Sequence, residues 1–564
     1  MNAKKIYIYL GLLVLWHLPS HAQQRAIERI HITTDREVYV AGESIWLSLY
    51  CFDFSGQNPH FSELSSVAYL ELRNGASLIS TAKLLIDQGR GSGRISLSPS
   101  LPTGNYTLIA YTKQMLNEGE LLFFEKVIPI INTLSTDRIP QNVIIQGDHR
   151  GDELNTLLKV ESKHIEVKLG ANGQRFSKTC LLPVSLINKS DETMTLSLSV
   201  FRADLPSVQD SSFHRFFLNN KPESSAVTFQ NRYIPEYEGE IIRGRVTDFE
   251  KIQSKENLIF LSAVGSGVEV YSSYVHAETG DFTFFTNSLY GDREIVLEYP
   301  SAQEASFELF DPFVKPLIKP VPFFYLDKKY ESSVLRRSVE MQVNRYFGLD
   351  TLYERHTIQN DPLVSNNKPV VYDLDHYTRF SIMQDIVVEF LSELRFRRNN
   401  NQFFLQVLFD SYFGLGTVNS LVLIDGIAIF DHERLMMYDP LKVKSVSIYQ
   451  NDYYLGNNIF SGLVKFNTYT GKYPGLTLGK NSVILDYQGI QHPSRFTGSV
   501  FATHNNLPDI RSLLYWDPHV DIKKGESREI TFQTSSVPGK YVIVLEGVTI
   551  GGQPVYVRSE FFVE

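Results

Sequence analysis

Residues 421–471 read LVLIDGIAIFDHERLMMYDPLKVKSVSIYQNDYYLGNNIFSGLVKFNTYTG, and their pattern decides the fold of the middle of the chain. Leu421 to Ile424 is an apolar run stopped by Asp425-Gly426, a two-residue turn signal. Asp431 is placed to cap a helical piece, His432–Tyr438, because a short acidic side chain can accept from the first free amides of a helix. Val443, Val446 and Ile448 make one apolar strand, and Leu463, Val464 and Phe466 make another. Upstream, Ile382, Met383, Ile386, Val387, Phe390, Leu391 and Leu394 recur at helical spacing, with Ser381 and Gln384 as a capping box. Arg395–Arg398, Asn399–Gln402 and Phe403–Phe409 then read as strand, turn and strand. Together these elements make a small α/β unit over residues 370–475.

These residues resemble the plug domain of TonB-dependent outer-membrane receptors. Ile424-Asp425-Gly426 matches the family's strand and turn, Val443–Tyr449 the strand after the helix, and Gly456 with Gly462–Thr468 the closing strand. In a receptor the plug is followed by a large barrel whose strands take ~9–11 residues each. Residues 476–564 read instead as a soluble sandwich. The expectation is a plug-like unit without a β-barrel, which docks against another component or serves as an interaction module.

Outward from this unit the chain reads as mainly β, rich in Phe, Tyr, Val, Ile and Thr and poor in long helical patterns. Ile45, Leu47 and Leu49 alternate with Ser44, Trp46 and Ser48 after an Ala41-Gly42-Glu43 turn, and strands at Val67–Arg73, Ala76–Ile86 and Tyr106–Thr112 complete a sandwich over 23–133. A linker with a strand at Gln141–Gln146 follows over 134–163. A second sandwich covers 164–237, with Gln209–Ser225 as a loop, and a third covers 238–315. A Pro-rich stretch at Asp311–Pro322 marks the boundary to a connector over 316–369, which carries a helix at Ser332–Phe347 with Val334, Leu335, Val339, Met341 and Val343 mostly on one side. A C-terminal sandwich covers 476–564. The expected architecture is mainly β, several Ig-like sandwiches in series with one small α/β plug-like domain.

Thr34-Asp35-Arg36, Tyr39, Gly42-Glu43 and Gly104–Thr112 resemble the macroglobulin-type (MG2) domain of α2-macroglobulin-like proteins, and Trp516-Asp517-Pro518 with Pro538–Tyr541 does so again. Gly244–Asp248 and Thr279–Phe282 are similar to the carboxypeptidase-regulatory-like sandwich that often precedes plug domains. The order of these modules resembles that of exported Bacteroidetes proteins.

Lys4 and Lys5, the apolar run Ile6–Trp16 and Ser20-His21-Ala22 form a secretory signal over residues 1–22. The apolar run is too short for a span, and no later stretch reaches ~18 apolar residues, so no membrane-spanning helix is expected. Export to the periplasm or the outer membrane is the expected localisation. The formal net charge of −9, more negative still without Lys4 and Lys5, argues against nucleic acid, whose phosphates need clustered Lys and Arg. Cys51 and Cys180 are the only cysteines; neither lies at the cleavage point, so no lipid anchor is expected, and their pairing stays open.

Local chemistry motifs are lacking. Cys51 precedes Phe-Asp-Phe and Cys180 precedes Leu-Leu-Pro, so the Cys-Gly-Glu-Gln thioester run of macroglobulins is missing. His432-Glu433 lacks the second His of a zinc helix, and Asp373, Asp375 and His376 read as turn and cap residues. No nucleophile elbow or phosphate-binding loop occurs. No catalytic residue, cofactor or metal is expected. Tyr449, Tyr453, Tyr454 and Phe460 crowd one turn, as a contact patch for another protein or, alternatively, as a buried seam between plug-like unit and sandwich. Asp350-Thr351-Leu352 fits a short O-glycosylation pattern. The expected function is that of a non-enzymatic exported protein acting by protein–protein interaction, accessory to an outer-membrane transport or assembly complex. Its expected partner is an outer-membrane β-barrel or an envelope protein complex. The alternatives are a glycan- or peptide-binding module with grooves between sandwiches, and a hydrolase whose site is assembled across domains.

Overall fold

The computed structural model describes residues 26–56, 58–134, 142–146, 162–170, 173–205, 213–220, 232–247, 257–287, 289–314, 319–348, 353–355, 368–399, 402–408, 419–498 and 508–564. The expected leader, most of the 134–163 linker and Asp350-Thr351-Leu352 lie outside the described residues. The chain is mainly β, built of two-sheet sandwiches and one α/β unit.

The N-terminal sandwich pairs Ser44–Asp53 with Glu28–Thr34 on one side and Arg90–Ser96 on the other. Its second sheet runs Tyr39–Val40, Phe124–Ile131, Gly104–Tyr111, Val67–Asn74, Ser77–Leu85. Ile32, Leu47, Leu49, Leu70, Leu108 and Ile128 fill the space between the sheets. The alternation read at 44–49 predicts one wet face, but Trp46 and Ser48 are buried as well. Trp46 packs on Leu513 and Trp516, and Ser48 Oγ donates to the Pro518 carbonyl at 2.7 Å. The outer face of this sheet is therefore a second interface, which strand periodicity alone does not reveal.

What sequence spacing presents as separate second and C-terminal sandwiches is one. Met194–Arg202 lies between Leu513–Ile522 and Gly539–Thr549, and Leu181–Asn188 pairs with Ser527–Gln533. The four strands of the first segment, one of them only two residues long, cannot cover both faces of a core, and the missing strands arrive from the far end of the chain. Leu198, Val200, Leu545 and Phe532 form the shared core. Part of the expected 209–225 loop is a helix, Phe213–Asn219, because Phe213 and Phe216 insert among Tyr50, Phe52 and Phe54.

Within this split sandwich the inner sandwich is inserted. Ile241–Val246, flanked by Asp281–Phe285 and Phe307–Leu309, faces a sheet of Val270–Tyr274, Leu258–Ala263, Asp292–Glu298 and Ser482–Gln488. The last strand belongs to the segment expected in the C-terminal sandwich; it completes the inner one instead. Inside that insertion lies the α/β unit. Its sheet runs Val370–Asp373, Val443–Leu455, Asn458–Thr468, Leu421–Ile424, Ile427–Ala428, backed by helices Met383–Glu389 and His432–Met437. Val143–Gln146 pairs in parallel with Phe324–Asp327 just before the helix Glu331–Tyr346.

Buried charge locks the N-terminal sandwich to the inner one. Lys83 Nζ donates to Glu240 Oε1 at 2.6 Å and to the Gln488 carbonyl at 2.7 Å. Beside it, Glu236 Oε1 accepts from Tyr69 Oη and the Ile241 amide, both at 2.8 Å, while Lys113 stands over the Tyr69 ring. Burial pushes the Glu236 carboxyl up to about 7, opposed by the Ile241 amide, Lys113 and Tyr69 and reinforced by Glu240. A carboxyl that holds its proton more tightly in the folded chain stabilises the fold most below its ordinary value of 4.5, and that contribution is lost as pH rises to about 7. The expected result is a lower thermal midpoint at about pH 8 than at about pH 5, with a smaller difference in Glu236→Gln. Melts of the two proteins at both pH values check it; an equal difference in both rules out this residue as a source.

Candidate functional site: an apolar helix face and an interdomain cleft

The helix Glu331–Tyr346 buries charged residues beside apolar ones and leaves other apolar residues in water. Arg337, Ser338 and Glu340 are buried, whereas Leu335, Val339 and Tyr346 are 53%, 59% and 83% exposed. The buried charges serve the Thr34–Glu43 motif. Arg337 reaches Glu43 at 2.9 and 3.1 Å and the Val38 carbonyl at 3.2 Å. Arg36 holds Asp35 at 2.9 Å and Glu43 at 3.0 Å, and Tyr39 Oη donates to Asp35. Glu340 pairs with Arg202, which also holds Asp204. Burial alone would raise the Glu43 carboxyl; Arg337 and Arg36 on either side outweigh it and hold it at about 2. Gly42, with φ +96°, lets the Met341 side chain approach closer than any Cβ would permit.

This network joins the N-terminal sandwich, the split sandwich and the helix. The side of the helix expected to be apolar is thereby divided. Val334 and Met341 go inward, and Leu335 and Val339 stay out. Leu335, Val339 and Tyr346 lie on one face at four- and seven-residue steps. Phe323, just before the strand Phe324–Asp327, and Tyr325, on that strand, are also exposed. Sequence reading missed this face because the partners that draw Arg337 and Glu340 inward are distant in the chain.

The four aromatics, read as a contact patch or a buried seam, are divided between those two readings. Tyr449 and Tyr453 are buried with Leu421, Leu423 and Leu463 against Phe260, Val268 and Val270 of the inner sandwich. Phe460 packs partly on the same cluster, and only Tyr454 is exposed, at 63%. Alternation along Val443–Leu455 sends neighbouring residues to opposite faces, and the inner sandwich covers one of them. Asp425 and Gly426 form the expected turn, both with positive φ. The turn also docks: the Asp425 carbonyl accepts from the Gly265 amide at 2.9 Å. Its carboxylate accepts from the Thr468 amide at 2.8 Å and from Thr468 Oγ1 and the Tyr473 amide at 2.6 Å, tying down the closing strand.

Between the inner sandwich and the α/β unit opens a cleft of about 420 Å³. Glu298, at the end of its strand, is 3.6 Å from Arg434 Nη1, and Arg434 Nε is 3.3 Å from Asp431. Asp431 caps the His432–Met437 helix by accepting from the Glu433 amide, as its sequence position predicts. His432 Nδ1 accepts from the Leu405 amide at 2.8 Å, and burial holds its imidazole down to about 4, hence neutral. Burial pushes the Glu298 carboxyl up to about 7 against the pull of Arg434. A Cβ on Gly479 would collide with the Arg434 guanidinium, so the glycine makes room for that side chain.

The remaining candidates have structural roles. Asp373 accepts from the Asp375 amide, and Asp375 faces Tyr469 and Arg379. Among the described residues no group of three or more His, Cys, Asp or Glu could hold a metal ion. Cys51, buried in the N-terminal sandwich, and Cys180, in the split sandwich, are unpaired. Among the described residues no helix is long and apolar enough to cross a membrane.

No protein-family model matches the chain, and no curated protein matches it in sequence. Among solved structures, a Salmonella α2-macroglobulin reacted with methylamine aligns with 95% of this chain and 39% of its own length, at 8% identity and a TM-score of 0.24. Trypsin-activated α2-macroglobulin from Escherichia coli aligns with 95% of this chain and 41% of its own, at 8% identity and a TM-score of 0.23. The E. coli adhesin FdeC aligns with 49% of this chain and 60% of its own, at 9% identity and a TM-score of 0.15. The chain thus spans about two fifths of the length of the α2-macroglobulins it matches. Superpositions this loose carry no inference about activity or partners.

Proposed function

We propose that this chain is a non-enzymatic, exported multidomain protein that acts by protein–protein contact, as an accessory of an outer-membrane transport or assembly complex. The observation that carries the reading is the divided apolar side of the helix Glu331–Tyr346. An amphipathic surface helix ordinarily turns its apolar side to the core. Here the charged side is anchored by Glu43, Asp204 and Arg202, and Leu335, Val339 and Tyr346 are left in solvent. Exposed aliphatic and aromatic side chains arranged on one face are the composition of a protein-contact surface. The resemblance of the α/β unit to receptor plugs supports an outer-membrane β-barrel, or a complex containing one, as the partner.

Leu335→Glu with Val339→Glu is expected to abolish recovery of an outer-membrane partner while leaving the thermal midpoint within a degree or two, because both side chains already contact water. Affinity isolation of the tagged chain from envelope extracts, followed by mass spectrometry, checks this. Recovery of the same outer-membrane proteins by the double variant, or of none by the unaltered chain, overturns the proposal.

A further inference from the structure

The cleft between the inner sandwich and the α/β unit has the chemistry of a ligand site that is independent of the helix face. We infer that it binds a neutral carbohydrate segment, with Phe403 as an apolar platform and Gln303, Gln402, Glu298 and Asp431 addressing hydroxyl groups. Its size, about 420 Å³, falls in the range of sites for molecules of a few rings.

Charge decides against an anionic ligand. The Arg434 guanidinium is already faced by Glu298 and Asp431, so it is no open cation for a carboxylate or phosphate. The cleft lining holds two carboxylates against Arg434 and Lys480, an even balance. Hydrogen-bonding capacity decides for hydroxyl groups. Each sugar hydroxyl both donates and accepts, and side-chain amides such as those of Gln303 and Gln402 do the same. The carboxylates of Glu298 and Asp431 add acceptors. The half-buried Phe403 ring, with the Arg398 guanidinium carbon 5.4 Å from its centroid, is the apolar element of the lining against which the C–H face of a sugar ring would pack.

An extended peptide fits less well. Peptides that add a strand need a free sheet edge. The strand bordering this cleft, Gln402–Val407, already directs its Leu405 amide to His432 and its Val407 amide to Ser420.

Titration calorimetry of the full chain with maltohexaose, cellohexaose, xylohexaose and a mannohexaose, alongside a neutral and an acidic hexapeptide, tests the inference. At least one of the oligosaccharides is expected to bind with a sub-millimolar Kd. Phe403→Ala and Gln402→Ala should each weaken it by about tenfold or more, with unchanged melting in Gln402→Ala, whose side chain is exposed. Leu335→Glu/Val339→Glu should bind as the unaltered chain does, which separates failure of this site from failure of the helix face. Binding of neither neutral sugar nor peptide overturns the inference, as does preferential binding of a peptide or binding that Phe403→Ala leaves intact. Hydrolysis of a bound oligosaccharide would support the site while overturning the non-enzymatic reading above.

Discussion

Replacing Arg337 with methionine is expected to lower the unfolding free energy by about 3–5 kcal/mol, the usual consequence of removing one partner from a buried charge network. Methionine keeps most of the volume and the helix propensity, so the loss is electrostatic. Glu43 would retain Arg36 but lose both Arg337 contacts, and the Val38 carbonyl would lose its donor. Asp204 would be left with Arg202, which Glu340 also needs. Denaturant titration gives the free energy, and Arg337→Met with Glu43→Gln supplies the double-mutant comparison. The double variant is expected to be more stable than the sum of the two losses, because it leaves no uncompensated carboxylate at Glu43. Strict additivity would show that Glu43 and Arg337 do not act as a pair. The same pair gives a pH signature. The Glu43 carboxyl is held at about 2, below its ordinary 4.5, so its contribution is complete above about 4.5 and is lost as pH falls towards 2.

Gly426→Ala is the second large effect, on the order of 3 kcal/mol, and it acts at the seam between the α/β unit and the inner sandwich. Two costs combine at this position. The residue has φ +86°, a conformation that alanine adopts at a penalty, and an added Cβ would overlap the Ala263 carbonyl and lie 2.9 Å from the Gly265 oxygen. Relief requires the turn to lift away from the inner sandwich, breaking the bond from the Gly265 amide to the Asp425 carbonyl. Gly471→Ala is the control. It shares a positive φ, +63°, but a Cβ there meets nothing within 4 Å, so only the conformational penalty of about 1 kcal/mol remains. Hydrogen exchange should show faster opening at residues 421–424 and 259–263 in Gly426→Ala alone. Equal destabilisation by the two substitutions would mean that the seam is not sterically closed at Gly426.

Local elements were legible in the sequence wherever one face of one segment carries the information. The strand at Leu421–Ile424, its Asp425-Gly426 turn, the Asp431-capped helix and the strand cores at Val443–Ile448 and Leu463–Phe466 follow from spacing and turn chemistry, whereas the extension of both strands through Tyr449–Phe460, read as a turn, does not. What failed to show was any property that depends on a partner far along the chain. Tyr449 and Tyr453 could be read as a contact patch or as a buried seam, and it is Phe260, Val268 and Val270, distant in the chain, that bury them. Glu298 stands more than a hundred residues before Asp431 and Arg434, so the cleft that joins them leaves no local pattern.

By itself the sequence determined that the chain is mainly β, that one small α/β unit interrupts it, and which turns that unit uses. Periodicity reports which side of a strand or helix is apolar, and turn residues report where it ends. The tertiary structure decided how the sandwiches are assembled. Met194–Arg202 finds its neighbours at Leu513–Ile522 and Gly539–Thr549, and Asp292–Glu298 finds Ser482–Gln488, which places one domain inside another. Backbone hydrogen bonding is the same for any two strands, so pairing is chosen by which combination closes every core at once. That is a property of the whole chain and of no single stretch.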